Sequence, residues 1–144
     1  MLISRMRKNS IKQKNNFKAA NPSEQTTAEN IRVLFEDNHL IVVNKRSSDI
    51  VQADRTGDPV LSDIIKSYLK TKYNKPGEVF CGTVHRIDRP VSGIVVFAKT
   101  SKALSRLTAF FKSRDVQKTY WAVVSDTPPR NADVVRNFLW KDES

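Results

Sequence analysis

From Ile31 onward the apolar residues fall into short blocks separated by polar turns. Ile31-Arg32-Val33-Leu34-Phe35 and Leu40-Ile41-Val42-Val43 flank Glu36-Asp37-Asn38-His39, a pattern that predicts a β-hairpin. Asp58-Pro59 predicts a helix start, with Asp58 as N-cap and Pro59 at the first helical position. Val60, Leu61, Ile64, Ile65, Tyr68 and Leu69 then recur on one helical face, and Asn74-Lys75-Pro76-Gly77 ends the helix. A strand over residues 79–84, a polar turn over 85–93 and the wholly apolar strand Ile94-Val95-Val96-Phe97-Ala98 follow. Ser101 is positioned to cap a second helix whose inward side is Ala103, Leu104, Leu107, Phe110 and Phe111. Lys118-Thr119-Tyr120-Trp121-Ala122-Val123-Val124 predicts a final strand, with Trp121 in the core like the two phenylalanines. The order strand, strand, helix, strand, strand, helix, strand is a mixed α/β (α+β) plan, without internal repeats.

Residues 1–30 carry no such pattern and read as a disordered basic tail before a domain over 31–144. Arg5, Arg7, Lys8, Lys12, Lys14 and Lys18 precede the first acid, Glu24. An arm that touches nucleic acid, a leader with no specific role and a transit peptide are the three readings. The last is weakened by the lack of an amphipathic helix.

Composition narrows the class. With 144 residues, 39% of them hydrophobic, the chain suits one domain with a modest core. Its 25 Lys and Arg against 15 Asp and Glu leave a net charge of +10, which favours polyanionic partners through counterion release. No apolar run approaches the roughly 18 residues of a membrane span. Cys81 is the sole cysteine and the two histidines lie far apart, so neither an internal disulfide nor a metal site is expected. A cytoplasmic protein without metal follows.

Candidate chemistry concentrates in Val84-His85-Arg86-Ile87-Asp88-Arg89-Pro90-Val91-Ser92-Gly93, a charged turn between two apolar strands. Turns held by rigid strands are where functional side chains collect. Asp88 stands between Arg86 and Arg89, and neighbouring cations favour an ionised carboxylate, able to act as nucleophile or general base. The plain alternative is an aspartate that orders the turn by pairing with an arginine. Gly93 reads as a backbone position that a side chain would forbid. Lys99, Lys102, Arg106, Lys112 and Arg114 form either a phosphate-facing stripe or a solvated helix face.

The His85-Arg86-Ile87-Asp88 stretch, followed by Ser92-Gly93 and an apolar strand, resembles the signature of RluA-type RNA pseudouridine synthases, with Ile87 where leucine is usual. The likeness continues through Phe97-Ala98-Lys99-Thr100, the second helix and Lys118-Thr119-Tyr120-Trp121-Ala122, which is similar to the family's Lys-x-Tyr-x-Ala strand. The resemblance implies that Asp88 attacks the target uridine. It implies that Tyr120 lies against the uracil ring and takes part in proton transfer, and that Arg86 contacts RNA and holds the nucleotide out of its helix. His85 and Arg89 complete the RNA-contacting set, His85 as a structural or RNA-contacting hydrogen-bonder rather than an acid or base. The base must leave the stack to be reached, and re-attachment through carbon needs no metal and no cofactor. Ribosomal or transfer RNA is the implied partner, and a monomer the implied state of the complete protein.

Two departures qualify the likeness. Asn44-Lys45-Arg46-Ser47-Ser48 stands where many family members carry Lys-Pro-x-Gly, so the loop is expected in another form. Nothing after Tyr120 resembles the family's Gly-Arg-Thr-His-Gln-Ile-Arg segment, whose basic residue pairs with the catalytic aspartate. The expectation is a partial catalytic domain, incomplete at its C-terminus. A rival reading is an RNA-binding piece that keeps part of the fold and lacks turnover. A kinase catalytic loop is excluded because Ile87 interrupts the His-Arg-Asp order.

Overall fold

The computed structural model describes residues 25–53, 57–138 and 140. The four strands β1 (Val33–Glu36), β2 (Leu40–Lys45), β3 (Gly82–Thr83) and β4 (Gly93–Ala98) form one antiparallel sheet in the order β1-β2-β4-β3. The most apolar strands are central: β2 and β4 pair from Leu40 opposite Ala98 to Lys45 opposite Gly93. The expected hairpin joins β1 to β2. Its turn is closed by Asp37, whose Oδ1 accepts the His39 and Leu40 N–H groups at 2.7 and 2.8 Å.

Alternation along β2 and β4 puts Ile41, Val43, Val95 and Phe97 into one buried cluster with Leu61, Ile65 and Leu69 of helix α1 (Leu61–Lys72). Cys81 joins that cluster, and burial pushes its thiol up to about 12. Asp58 does not cap α1. Val60 is the N-cap without a side-chain bond, and the Ile50 carbonyl accepts the Leu61 N–H at 2.8 Å. The free amide of the first turn is thus met by neighbouring backbone, which leaves Asp58 for another partner. Asn74, with φ +46°, turns the chain after α1.

Helix α2 (Ser101–Ser113) is capped by Thr100, one residue before the expected Ser101; the Thr100 Oγ1 accepts the Ala103 N–H at 3.1 Å. Leu104 lies over β3 so closely that a Cβ on Gly82 would come within 2.8 Å of it. The apolar face is as expected, but it is only half covered. Ala103, Leu104, Leu107 and Phe111 are partly buried, and Phe110 faces solvent.

One further expectation is corrected. No strand forms over 118–124: residues 116–138 contain neither helix nor strand, and Trp121 is 97% exposed rather than in the core. A strand persists only where a neighbour takes up its N–H and C=O groups, and among the described residues none pairs with this stretch. Thr26 is 6% exposed, and its hydroxyl donates to Asp49 at 2.8 Å, which ties that residue to the loop after β2. The basic residues expected in the tail lie outside the described residues.

Glu36 ties three elements together. Its carboxylate accepts from Lys72 at 2.8 Å and Tyr73 at 2.8 Å at the end of α1, and from Lys99 at 2.7 Å before α2. The Lys99 ammonium also donates to the Asp37 carbonyl at 2.6 Å, so Lys99 is committed to the fold rather than to a phosphate-facing stripe. Burial alone would raise the Glu36 carboxyl; the bonds from Lys72, Lys99 and Tyr73 outweigh it and lower the group from 4.5 to about 2. A depressed carboxylate adds stability above its unfolded value and loses it as pH falls towards its folded value. Urea unfolding followed from pH 5 down to pH 2 is expected to lose up to about 3 kcal/mol of stability through this group. In Glu36→Gln most of that loss disappears.

Candidate active site

The site begins with a turn. Val91 N–H donates to the Asp88 carbonyl at 3.0 Å, closing residues 88–91, and the Asp88 side chain is exposed. Gly93, which follows, has φ +146°, while the nearest atom to a Cβ there, on Ile87, would be 3.7 Å away. Conformation rather than space demands glycine, as the sequence implied.

The underside of the turn rests on Lys45, which sequence reasoning did not single out. Lys45 is 1% exposed, and its ammonium donates to the carbonyls of Arg46, Arg89 and Val91 at 2.9, 3.1 and 2.7 Å. Ser48 N–H adds a bond to the Arg89 carbonyl at 2.9 Å. One signal was available: Lys45 continues the inward alternation of Ile41 and Val43, where an ammonium survives only if oxygens meet it. Burial pushes Lys45 below the usual lysine range and Arg89 adds to that, while the charges of Asp49 and Asp88 oppose it.

The loop that replaces Lys-Pro-x-Gly holds its shape by other means. Arg46 N–H, which a proline would lack, donates to Asp49 Oδ2 at 3.0 Å, and the same oxygen receives the Thr26 hydroxyl. Ser48 has φ +79°, a left-handed conformation that glycine adopts at least cost.

The two arginines do not embrace Asp88. Arg86 Nη1 donates to Gln52 Oε1 at 2.6 Å, and Arg89 Nη2 to Asp58 Oδ2 at 2.5 Å. The latter pair braces the turn against the start of α1 from the side. Among the described residues the Asp88 carboxylate accepts no hydrogen bond and has no ion pair. The charge of Asp88 is felt by Lys45, whose ammonium lies beneath the backbone of the turn.

His85 is a structural hydrogen-bonder. The β3–β4 register would bring Val84 opposite Val96, but β3 ends at Thr83 and the Val96 N–H instead donates to His85 Nε2 at 3.0 Å. Its ring stacks on Phe111, with centroids 4.4 Å apart. Burial, reinforced by the Lys118 charge, lowers its proton affinity and keeps Nε2 an acceptor. Tyr120, 64% exposed, makes no hydrogen bond or ring contact among the described residues, so it is not brought to Asp88 by any direct interaction. A cleft of about 570 Å³ lies beside the turn, lined by Gln52, Asp63, Thr83, His85 and Arg86 among others; Asp88 is outside its lining. Among the described residues no cluster of His, Cys, Asp or Glu has the makings of a metal site, and no helix is long and apolar enough to cross a membrane.

Residues 39–144 match the RNA pseudouridylate synthase family. The chain is 36% identical over 111 residues to the ribosomal large subunit pseudouridine synthase C of Vibrio vulnificus, covering 77% of this chain and 33% of that protein. It is 36% identical over 92 residues to the dual-specificity RNA pseudouridine synthase RluA of Haemophilus influenzae, covering 64% of this chain and 39% of that one. A solved structure, human RNA pseudouridylate synthase domain containing 4, superposes with a TM-score of 0.50 at 23% identity, covering 58% of this chain and 30% of its own, a likeness of fold. The chain belongs to the RNA pseudouridine synthases of the RluA type. It spans about a third of the length of the curated relatives it matches first.

Gly93→Ala is expected to destabilise the protein by about 1–3 kcal/mol, the cost of forcing a side chain into this backbone region. Gly77, with open space around it and no positive φ, is expected to accept alanine at little or no cost. Equal melting temperatures for the two variants would contradict the assignment of strain to Gly93.

Proposed function

We propose that this chain is the Asp88-bearing part of an enzyme that converts uridine to pseudouridine in structured ribosomal or transfer RNA. The observation that carries the reading is the Asp88 turn: an exposed carboxylate on a backbone fixed from below, within the segment that matches the family. The chemistry asks for little else from the protein. Asp88 attacks the target nucleotide, the N1–C1′ bond breaks, and the freed base rotates. A C5–C1′ bond then forms, the bond that Asp88 made breaks to return its free carboxylate, C5 gives up a proton and N1 gains one. The reaction is an isomerisation, balanced without oxidant or reductant. No cofactor or metal is proposed.

Arg86, on the wall of the cleft, is the proposed RNA contact that keeps the nucleotide extruded. Tyr120 is proposed to lie against the uracil ring once its stretch is paired in the working enzyme. Arg89 and His85 border the RNA, and their bonds to Asp58 and from Val96 give them a supporting share in the site. The division into a basic tail and a partial catalytic domain, a monomeric state and a cytoplasmic location belong to the same proposal. The relatives' names include enzymes of ribosomal and transfer RNA, which supports RNA as the partner.

The second reading, an RNA-binding piece without turnover, is favoured by one observation, the exposed stretch that holds Tyr120, which pairs with no strand among the described residues. The two readings part on a single assay. Asp88→Asn in the intact protein is expected to abolish pseudouridine formation, scored by primer extension on RNA lacking the modification, while RNA affinity stays within about twofold because the amide is nearly isosteric. Unchanged turnover in that variant would sink Asp88 as nucleophile, and no turnover in the unaltered protein would favour the second reading.

A further inference from the structure

Resting on the reading of Arg86 as an RNA contact, we infer that Gln52 is its positioning residue. Gln52 aims the guanidinium along the wall of the cleft and leaves it its full charge for a phosphate of the RNA backbone. Both residues line the cleft and both are exposed, and Arg86 Nη1 donates to Gln52 Oε1 at 2.6 Å. Each side chain springs from anchored backbone. Just before Gln52, Val51 is buried in the core, and Ile50 pairs with Val60 at the start of α1. On either side of Arg86, His85 takes the Val96 N–H and stacks on Phe111, while Ile87 packs against the core. With both backbones fixed, one hydrogen bond decides where the guanidinium goes.

The chemistry of the acceptor matters as much as its place. A glutamine amide accepts through its carbonyl oxygen and carries no charge, so it orients a guanidinium without neutralising it. Arg89, three residues on, shows the opposite case: the Asp58 carboxylate holds it, and that ion pair offsets its charge. Asp63, which also lines the cleft, is committed to Lys66 at 2.7 Å. Among the described residues no carboxylate forms an ion pair with Arg86. Arg86 therefore keeps its charge. The N–H groups that Gln52 does not use remain open for the paired hydrogen bonds that a phosphate takes from an arginine. A guanidinium held in place beforehand also loses less freedom when RNA arrives than one on a loose side chain. Of the two arginines that flank Asp88, Arg86 is committed to RNA and Arg89 to the fold.

Replacing the neutral acceptor by a charged one of nearly the same shape separates aim from charge. Binding of an unmodified RNA hairpin with uridines in its loop would be measured across a range of salt concentrations. The proteins compared are the intact chain, Gln52→Glu, Gln52→Ala, Arg86→Ala and the Gln52→Glu/Arg86→Ala double variant. Both side chains are exposed, so all are expected to melt with the unaltered protein. In Gln52→Glu the new carboxylate pairs with Arg86, and affinity is expected to fall about tenfold, the worth of about one charge-assisted hydrogen bond. The slope of log affinity against log salt should flatten by about 0.7–0.9, as for one lost phosphate contact. Gln52→Ala keeps the charge and frees the side chain, so affinity is expected to fall about threefold with the slope unchanged. Once Arg86 is alanine, Gln52→Glu is expected to cost less than about twofold, because the group it acts through is gone. Gln52 variants that bind like the unaltered protein while Arg86→Ala binds weakly would overturn the inference and leave Arg86 standing as the RNA contact. A Gln52→Glu loss of equal size with and without Arg86 would also overturn it, since the added charge would then be acting on RNA by itself. If Arg86→Ala binds as tightly as the unaltered protein, the underlying reading of Arg86 fails and the inference falls with it.

Discussion

A lysine ammonium under a sheet must be met by oxygen or lose its proton, and Lys45 is met three times. Much of the site follows from that constraint. Replacing the ammonium by a methyl end would remove a buried charge but strand the Arg46 and Val91 carbonyls, each costing about 1–3 kcal/mol if water cannot reach it, while the Arg89 carbonyl would keep its bond from Ser48. Lys45 closes the inward stripe of β2 at the position paired with Gly93, so the strand that builds the core also delivers the cation to the turn. Core and site are successive inward positions of one strand.

The rest of the fold positions that cation. Ile41 and Val43 fix β2 against α1, and β4 carries the chain from Gly93 into the core through Val95 and Phe97. Glu36 gathers Lys72, Tyr73 and Lys99, locking the opposite end of the sheet to both helices. His85 finishes the ladder where β3 stops and anchors Phe111 of α2 beside the turn. Arg89 and Asp58 brace the turn against α1. The backbone of Asp88 is thus held through its neighbours, while its carboxylate is left to meet a substrate.

The sequence disclosed the parts governed by local pattern. The hairpin, both helices and β4 followed from periodicity, and the family likeness followed from the turn at 85–93. Less legible were features set by partners distant in the chain. The cap of α1 comes from the Ile50 backbone, which no cap motif at Asp58 could announce. Trp121 and Phe110 look like core in any apolar tally, yet burial depends on a covering surface, and α2 and the 116–138 stretch have little above them. Arg86 and Arg89 flank Asp88 in sequence, but their long side chains reach Gln52 and Asp58 instead. The altered loop at 45–49 was expected to persist in another form, and it does, because Asp49 and Thr26 replace what proline and glycine would fix by covalent restraint and conformational freedom.

The most direct test of this account observes the Lys45 ammonium itself. In ¹⁵N-lysine spectra of the intact protein, with Lys45→Met supplying the assignment, three carbonyl bonds and burial should protect its protons from water exchange at neutral pH. Cross-peaks from the Lys45 Nζ protons to the backbone around Arg89 and Val91 should be visible. A Lys45 signal exchanging as fast as an exposed lysine, with no contact to the 88–91 turn, would contradict the claim that this buried cation fixes the turn presenting Asp88.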